Sequence, residues 1–168
     1  LDWISERRKS AVQEPQWIRN IRRVGGKMSD FSSGVDFQGW FLKFGSKTLP
    51  NKFLAYDDYS ATPNQRTEVE AYRDLNNLLH RDTSPNFKTK IDFNTRPMWL
   101  PDKVEMQSVF AAGLVNRAQR KYNVTYWDDE QNTYRTGVFY MPDIEYKPIR
   151  VVGNNILYNK IRIALIEY

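Results

Sequence analysis

The residues that could do chemistry in this sequence are few and lie far apart. The one histidine, His80, follows Leu78-Leu79 and precedes Arg81-Asp82. A histidine that serves as a general base needs a nucleophile within hydrogen-bond reach and a third group that orients its ring. No obvious sequence neighbour supplies either group, so we expect His80 to be a structural or surface residue.

Two acidic stretches raise the question of a metal site. Glu145-Tyr146-Lys147 has the spacing seen in metal-dependent nucleases, where carboxylates hold Mg²⁺ and a lysine orients water. Asp143 is too close in sequence to serve as the separate upstream carboxylate, so a nuclease is only a third hypothesis. Asp128-Asp129-Glu130 is consecutive, whereas a calcium loop spaces its ligands around a glycine turn. We interpret this second stretch as a solvated hairpin tip and expect no metal.

The composition and the missing motifs exclude several classes of protein. The sequence has no Walker loop, no dinucleotide-binding glycine motif, no nucleophile elbow and no metalloprotease helix motif. No apolar window approaches the roughly 18 residues of a membrane span, so we expect no membrane contact. The net charge of +5, from 25 Lys and Arg against 20 Asp and Glu, is only moderately basic. We therefore expect a non-enzymatic protein with no catalytic residue and no cofactor.

The first 27 residues differ from the rest because basic and apolar residues alternate closely there. Pro15 divides the stretch, a helical spacing of apolar residues follows it, and Gly25-Gly26 would end that helix. We interpret residues 1–38 as a basic, helical N-terminal arm that packs on a protein partner; disorder and contact with nucleic acid or membrane are the alternatives. The arm residues predicted to contact the partner are Trp3, Ile4, Trp17, Ile18 and Ile21.

From residue 39 onward, short alternating runs predict strands. In 87–93 the apolar residues and Thr89 alternate with charged ones, which is the period of a strand with one wet face. Asn76-Asn77 suits a hairpin tip, and the polar segment 61–65 is predicted to interrupt the strands. The strands predicted in this way are 40–44, 53–56, 69–73 with its return, 87–93, 121–127, 134–141, 144–152 and 156–167.

One helix is predicted among the strands, at about 101–112. Pro101 suits its first turn, and Met106, Val109 and Phe110 form an apolar stripe that Gly113 can end. Six to eight strands with one helix predict a mainly β domain over 39–168, an antiparallel β-sandwich or partly open barrel. About two in three of the prominent aromatics should be buried; these are Trp99, Tyr122, Tyr126, Trp127, Phe139 and Tyr140.

Four short runs, taken in order, connect the sequence to a known kind of protein. They are Ser60 to Arg66, Lys90 to Thr95, Val124 to Asp129 and Asn155 to Asn159. As a set they resemble small structural tail proteins of tailed bacteriophages, of the distal-tail, tail-tip or baseplate type. The resemblance covers 41–168, and residues 1–27 have no counterpart in it.

The resemblance implies a virion tail component that is assembled in the bacterial host cytoplasm. It implies a homo-oligomeric ring of β-sandwich modules, with tube, tape measure, tip or receptor-binding proteins as partners. A ring subunit needs a segment that crosses to its neighbour, and the arm and the 57–85 region are the candidates. The alternative is a β-barrel that binds single-stranded nucleic acid, since basic and aromatic residues alternate along 87–93 and 120–127. Nucleic acid is not the partner we expect.

Overall fold

The computed structural model describes residues 36–168. The predicted arm residues Trp3, Ile4, Trp17, Ile18 and Ile21 lie outside the described residues. The described part is mainly β, with antiparallel sheets and one α-helix, as the sequence predicts. No helix among the described residues is long and apolar enough to cross a membrane.

Eight strands form the largest sheet. They are β1 (Leu42–Phe44), β2 (Lys47–Thr48), β3 (Ser60–Gln65), β6 (Lys88–Asn94), β8 (Leu114–Asn116), β9 (Lys121–Asp128), β10 (Thr133–Tyr140) and β13 (Arg162–Glu167). The order across the sheet is β2-β1-β9-β10-β13-β6-β3, with β8 also paired to β9. Every pairing in this sheet is antiparallel, and several neighbours, such as β1 and β9 or β6 and β13, are far apart in sequence.

Two smaller sheets and the helix complete the described fold. The first small sheet pairs β4 (Glu68–Arg73) with β5 (Leu79–Thr83), and the second has the order β11-β12-β7. Its strands are β7 (Met98–Trp99), β11 (Pro148–Val152) and β12 (Asn155–Tyr158). The helix, α1, spans Leu100–Ala112.

The core is built from the alternating inner residues of the large sheet and the buried stripe of α1. On β6, Thr89, Ile91 and Phe93 are buried while their neighbours face water, as the alternation predicts. The predicted helical stripe is also buried, and the ring of Phe110 lies 4.8 Å from that of Phe44 on β1. Burial of each such side chain stabilises the fold by about 1.5–3 kcal/mol.

The end of α1 is determined by close packing as well as by its glycine. The N–H of Gly113 donates to the carbonyl of Phe110 at 3.0 Å. A Cβ on Gly113 would lie 2.9 Å from the Asn123 carbonyl oxygen and 2.9 Å from the Phe44 Cβ. The predicted helix of about 101–112 is confirmed, because both local signals and packing end it at the same residue.

Several predicted elements are wrong. The predicted strand 53–56 is replaced by two 3-10 turns, Asn51–Phe53 and Tyr56–Asp58, with a single bridge from Leu54 to Thr95. The predicted interruption at 61–65 is strand β3, which tolerates Pro63 because it lies at a sheet edge and bulges there.

The C-terminal strands also differ from the prediction. The strand predicted for 144–152 begins only at Pro148, and the one predicted for 156–167 is divided into β12 and β13, which belong to different sheets. At the division, the Asn159 side chain accepts a hydrogen bond from the N–H of Lys160 at 2.8 Å and turns the chain. The described residues therefore hold more and shorter strands than the six to eight expected.

Candidate functional site

The most unusual surface of the described chain is the hairpin formed by β4, the turn 74–78 and β5, which we call the projecting hairpin (residues 68–83). It continues the β3–β6 pair: Gln65 is opposite Lys88, and further out Glu68 is opposite Thr83. Within the described residues, β4 and β5 pair only with each other. At about 3.3 Å per residue, the ladder from Gln65 to the turn at Asp74 can reach about 30 Å beyond the large sheet.

Apolar side chains on the projecting hairpin are left in water. Every residue of β4 is exposed, and so is every residue of β5 except Thr83. A two-stranded hairpin is marginally stable by itself, and clustered exposed apolar residues usually mark a surface that contacts another molecule. The large exposed apolar side chains are Val69, Tyr72, Leu75, Leu78 and Leu79.

The turn of the hairpin is held by the carboxylate of Asp74. Its Oδ1 accepts hydrogen bonds from the N–H of Asn76 at 2.9 Å and of Leu78 at 3.0 Å. Asn77 adopts a positive φ of 63°, which confirms the predicted tip. His80 lies with Nε2 3.1 Å from Asp74 Oδ2 and stacks on Tyr72. Contacts within the chain therefore hold the tip in a defined conformation.

We expect the order of this tip to depend on pH in the acid range. Hydrogen bonds from His80, and then from the N–H groups of Leu78 and Asn76, hold the pKa of the Asp74 carboxyl below its ordinary value of 3.8. A carboxyl group whose pKa is lowered in the folded state stabilises the fold at pH values above its unfolded-state pKa. This contribution is lost as the pH falls through the folded-state pKa. NMR titration of the Asp74 carboxyl and the Leu78 amide should give a shared midpoint below 3.8. A His80→Ala variant should raise that midpoint, and an unchanged midpoint would contradict the assignment.

A polar network fixes the base of the projecting hairpin to the β9–β10 turn. Arg135 Nη1 donates to Asn64 Oδ1 at 2.6 Å and lies 3.3 Å from Asp128 Oδ2, while Asn64 Nδ2 donates to Glu130. Asp128 is fully buried and its Oδ1 accepts from the N–H groups of Glu130 and Gln131. The expectation of a solvated tip is wrong for Asp128, because a cation and two backbone donors replace the water around its carboxylate.

Removal of the Asp128 carboxylate should destabilise the fold measurably. Asp128→Ala leaves the turn N–H groups and Arg135 without their shared acceptor, which we expect to cost about 2 kcal/mol of unfolding free energy. Asp129→Ala, at the exposed neighbouring position, should change the unfolding free energy by less than about 0.5 kcal/mol. Urea denaturation of both variants measures the difference, and equal stabilities would show that the network does not hold the turn.

The other residues considered for chemistry do not converge on a site. Glu145 and Lys147 pair with each other at 3.3 Å, and both side chains are well exposed. Within residues 36–168, no three His, Cys, Asp or Glu side chains lie close enough together to hold a metal ion. His80 is an exposed residue of β5 whose partner is Asp74, which agrees with the expected surface role.

The prominent aromatic residues serve mostly in the core. Tyr126, Trp127 and Phe139 are buried and Tyr122 packs partly against the core, while Trp99 and Tyr140 remain exposed. Three of the six are therefore buried and a fourth is half-buried, slightly fewer than the two in three expected. Phe93, Tyr126 and Trp127, which a single-strand-binding barrel would use for base stacking, are turned inward and are not available to bases.

Comparison with known proteins places the chain in a family. The model of a family of unknown function, DUF6711, matches residues 35–168. The chain belongs to the DUF6711 family. A search of curated protein sequences finds no match for this DUF6711 chain. Among solved structures, it is similar to a chain in the tail of an empty GTA particle with C6 symmetry, at 12% identity and a TM-score of 0.44, over 77% of this chain and 90% of that one.

Sequence patterns predict only part of the candidate site of this DUF6711 chain. Val69 to Arg73 is readable as a strand and Asn77 as a tip, but no local pattern indicates that both faces of β4 meet water. Arg135 and Asn64 are 71 positions apart, so their contact has no sequence signature. Asn64 in an edge strand beside Pro63 is the one available sign of a bulge at the hairpin base.

Proposed function

We propose that this DUF6711 chain is a structural, non-enzymatic subunit of a bacteriophage tail, of the distal-tail, tail-tip or baseplate kind. In this role it forms a homo-oligomeric ring and connects the tail tube to tip proteins through protein contacts. The observation that carries the proposal is the projecting hairpin, with its ordered turn and its exposed apolar side chains. The corresponding location is the virion tail, with assembly in the host cytoplasm.

The hairpin suits a ring subunit for a geometric reason. In a head-to-tail ring, one patch of each copy contacts a different patch of the next copy, and the contact repeats until the ring closes. A segment that extends beyond its own sheet can reach the next copy without moving the body of the domain. The exposed apolar side chains of the hairpin would then become buried, with a gain of about 25 cal/mol for each Å² of apolar surface removed from water.

The sequence resemblance to phage tail proteins supports the same role. Its runs include β3 at the base of the hairpin, most of β6 beside it, and the end of β9. Asn64 and Asp128, which hold the base network together, lie in two of these runs. Two of the four runs thus contain residues of the network that holds the base of the hairpin.

The N-terminal arm is proposed as a second contact with a protein partner. Its sequence interleaves arginines with Trp3, Ile4, Trp17, Ile18 and Ile21, and large apolar and arginine side chains are frequent at the centres of protein interfaces. Removal of residues 1–27 is expected to weaken assembly and to leave the unfolding temperature of the 39–168 domain unchanged. An equally stable assembly without the arm would count against this role.

The mass of the purified protein in solution tests the proposal directly. Light scattering at several concentrations should give a large species of defined mass, and negative-stain images of that species should show closed rings. A strict monomer across the concentration range, both alone and with tail proteins from the same genome, would overturn the proposal. Salt-dependent binding to single-stranded oligonucleotides by that monomer would favour the alternative instead.

A further inference from the structure

The sheet edges of the described chain are not equally protected against strand addition. Edge strand β3 contains Pro63 and a bulge, and edge strands β2 and β7 are two residues long. Short edges, prolines and bulges are the usual devices that prevent pairing with another chain. β11 is also an edge, but its Pro148 stands at the first residue and the bulge follows it directly. From Arg150 to Val152 the strand is regularly paired on one side and open on the other.

The side chains of β11 are unusual for an edge that remains in water. All five residues are exposed, and three of them are large and β-branched: Ile149, Val151 and Val152, at 56%, 66% and 46% exposure. Such residues have high strand propensity and gain most when a neighbouring strand covers them. An open edge with this composition is the surface that accepts an added strand, in which backbone hydrogen bonds supply affinity and side chains supply specificity.

Charge indicates what the added strand is. On the projecting hairpin, Glu68 pairs with Arg81 and Asp74 with His80. Among the described residues, the hairpin's Glu70, Asp82 and Arg73 make no ion pair, and Arg150 of β11 makes none either. Near β11, Lys147 and Lys160 pair with Glu145 and Asp58 of their own chain, so Arg150 is the cation that the strand can offer. Residues 68–83 carry two glutamates and two aspartates against two arginines. The exposed apolar strand β11, with its unpaired cation, therefore suits an exposed apolar hairpin in which acids outnumber arginines.

We infer that β11 is the acceptor edge for the projecting hairpin of a second copy of this chain, which adds β4 or β5 to the β11-β12-β7 sheet. This inference rests on the proposed function, because it needs copies that assemble. Donor and acceptor are different patches of the same chain, so the contact is head-to-tail and propagates from copy to copy. The added strand pairs along the open edge of β11 and lies beside its exposed side chains Ile149, Val151 and Val152.

Cross-linking between single-cysteine chains tests the contact, because the native sequence contains no cysteine. Ala71→Cys on the hairpin and Val151→Cys on β11 are conservative in size and lie at exposed positions. Mixed in equal amounts and treated with a short bis-maleimide, they should give a dimer that contains one chain of each kind. Ala118→Cys, exposed in the loop before β9, replaces Val151→Cys in the matched control and should give little of that dimer.

A charge exchange tests the same contact without a reagent. Arg150→Glu places an anion beside the acidic hairpin and should weaken self-association about tenfold, equivalent to about 1.4 kcal/mol. Glu70→Arg in the same chain should restore it, whereas Arg117→Glu on another exposed surface should leave it unchanged. If Arg150→Glu self-associates like the wild type and no mixed cross-linked dimer forms, the inference is overturned and the proposed tail role stands. A wild-type chain that never self-associates would overturn both.

Discussion

A chain in which residues 68–83 are replaced by Asn-Gly is expected to be monomeric at concentrations where the full chain assembles. The deletion removes the projecting hairpin and its five large exposed apolar side chains. It joins Thr67 to Ser84, whose backbones already meet through a hydrogen bond of 2.9 Å from the Ser84 N–H to the Thr67 carbonyl. That pairing is the one that a two-residue Asn-Gly turn closes.

The shortened chain should fold normally, which separates assembly from stability. None of the buried core residues lies within 68–83, so the unfolding temperature should change by only a few degrees. Light scattering gives the mass, and thermal denaturation monitored by circular dichroism gives the stability. Val104→Ser, which removes an exposed apolar side chain from α1, serves as a control and should assemble like the full chain. Assembly of the shortened chain with wild-type affinity would show that the hairpin is not the contact.

Gly45→Ala is expected to produce the largest loss of stability from a single methyl group. Gly45 follows β1, has a φ of +55°, and its missing Cβ would lie 2.2 Å from the carbonyl oxygen of Ala112 at the end of α1. An alanine in the left-handed region costs about 1–2 kcal/mol, and forcing packed backbone apart costs about 1–3 kcal/mol more. We expect a total near 3 kcal/mol, which lowers the unfolding temperature by about 10 °C in a domain of this size.

Gly153→Ala is the matched control for this substitution. Gly153 has an almost equal φ of +56°, but no atom lies within 4 Å of the position that an alanine Cβ would occupy there. Only the backbone cost remains, so the loss should be about 1 kcal/mol. Denaturant unfolding of both variants gives the difference between them, which isolates the contact of Gly45 with the helix end. Equal losses would mean that α1 shifts away from the turn without cost.

Much of the local structure was predictable because its signals lie within a few residues. The alternation in β6, the hairpin of β9 and β10, and the start and end of α1 each depend on short-range periodicity or on a single proline or glycine. The prediction failed at 53–56 and at 61–65, where an apolar run became 3-10 turns and a polar run became a strand. In both places, contact with a distant part of the chain outweighed local propensity. Residues 60–65 pair with β6, and Leu54 forms a bridge to Thr95, the residue that follows β6.

The candidate site was likewise only partly predictable from the sequence. Its strand β4 and its Asn77 turn were predicted from sequence, since tight turns and alternation are local. The burial of Asp128 was predicted wrongly, because a carboxylate in an acidic turn is normally solvated. Among the described residues, Arg135 and the turn N–H groups offset the cost of its burial, and Arg135 is placed by the register of β9 against β10.

By itself, the sequence determined the mainly β class, the helix at about 101–112, the position of the hairpin turn and the lack of a recognisable catalytic motif. The tertiary structure alone decided the order of the strands, the division of the C-terminal run between two sheets, and which apolar residues stay in water. The physical reason is that periodicity states which residues share a face, whereas burial depends on what long-range contacts place against that face. In the sequence, Val69, Leu79 and Val151 look like ordinary strand residues, and only the fold shows that they remain exposed.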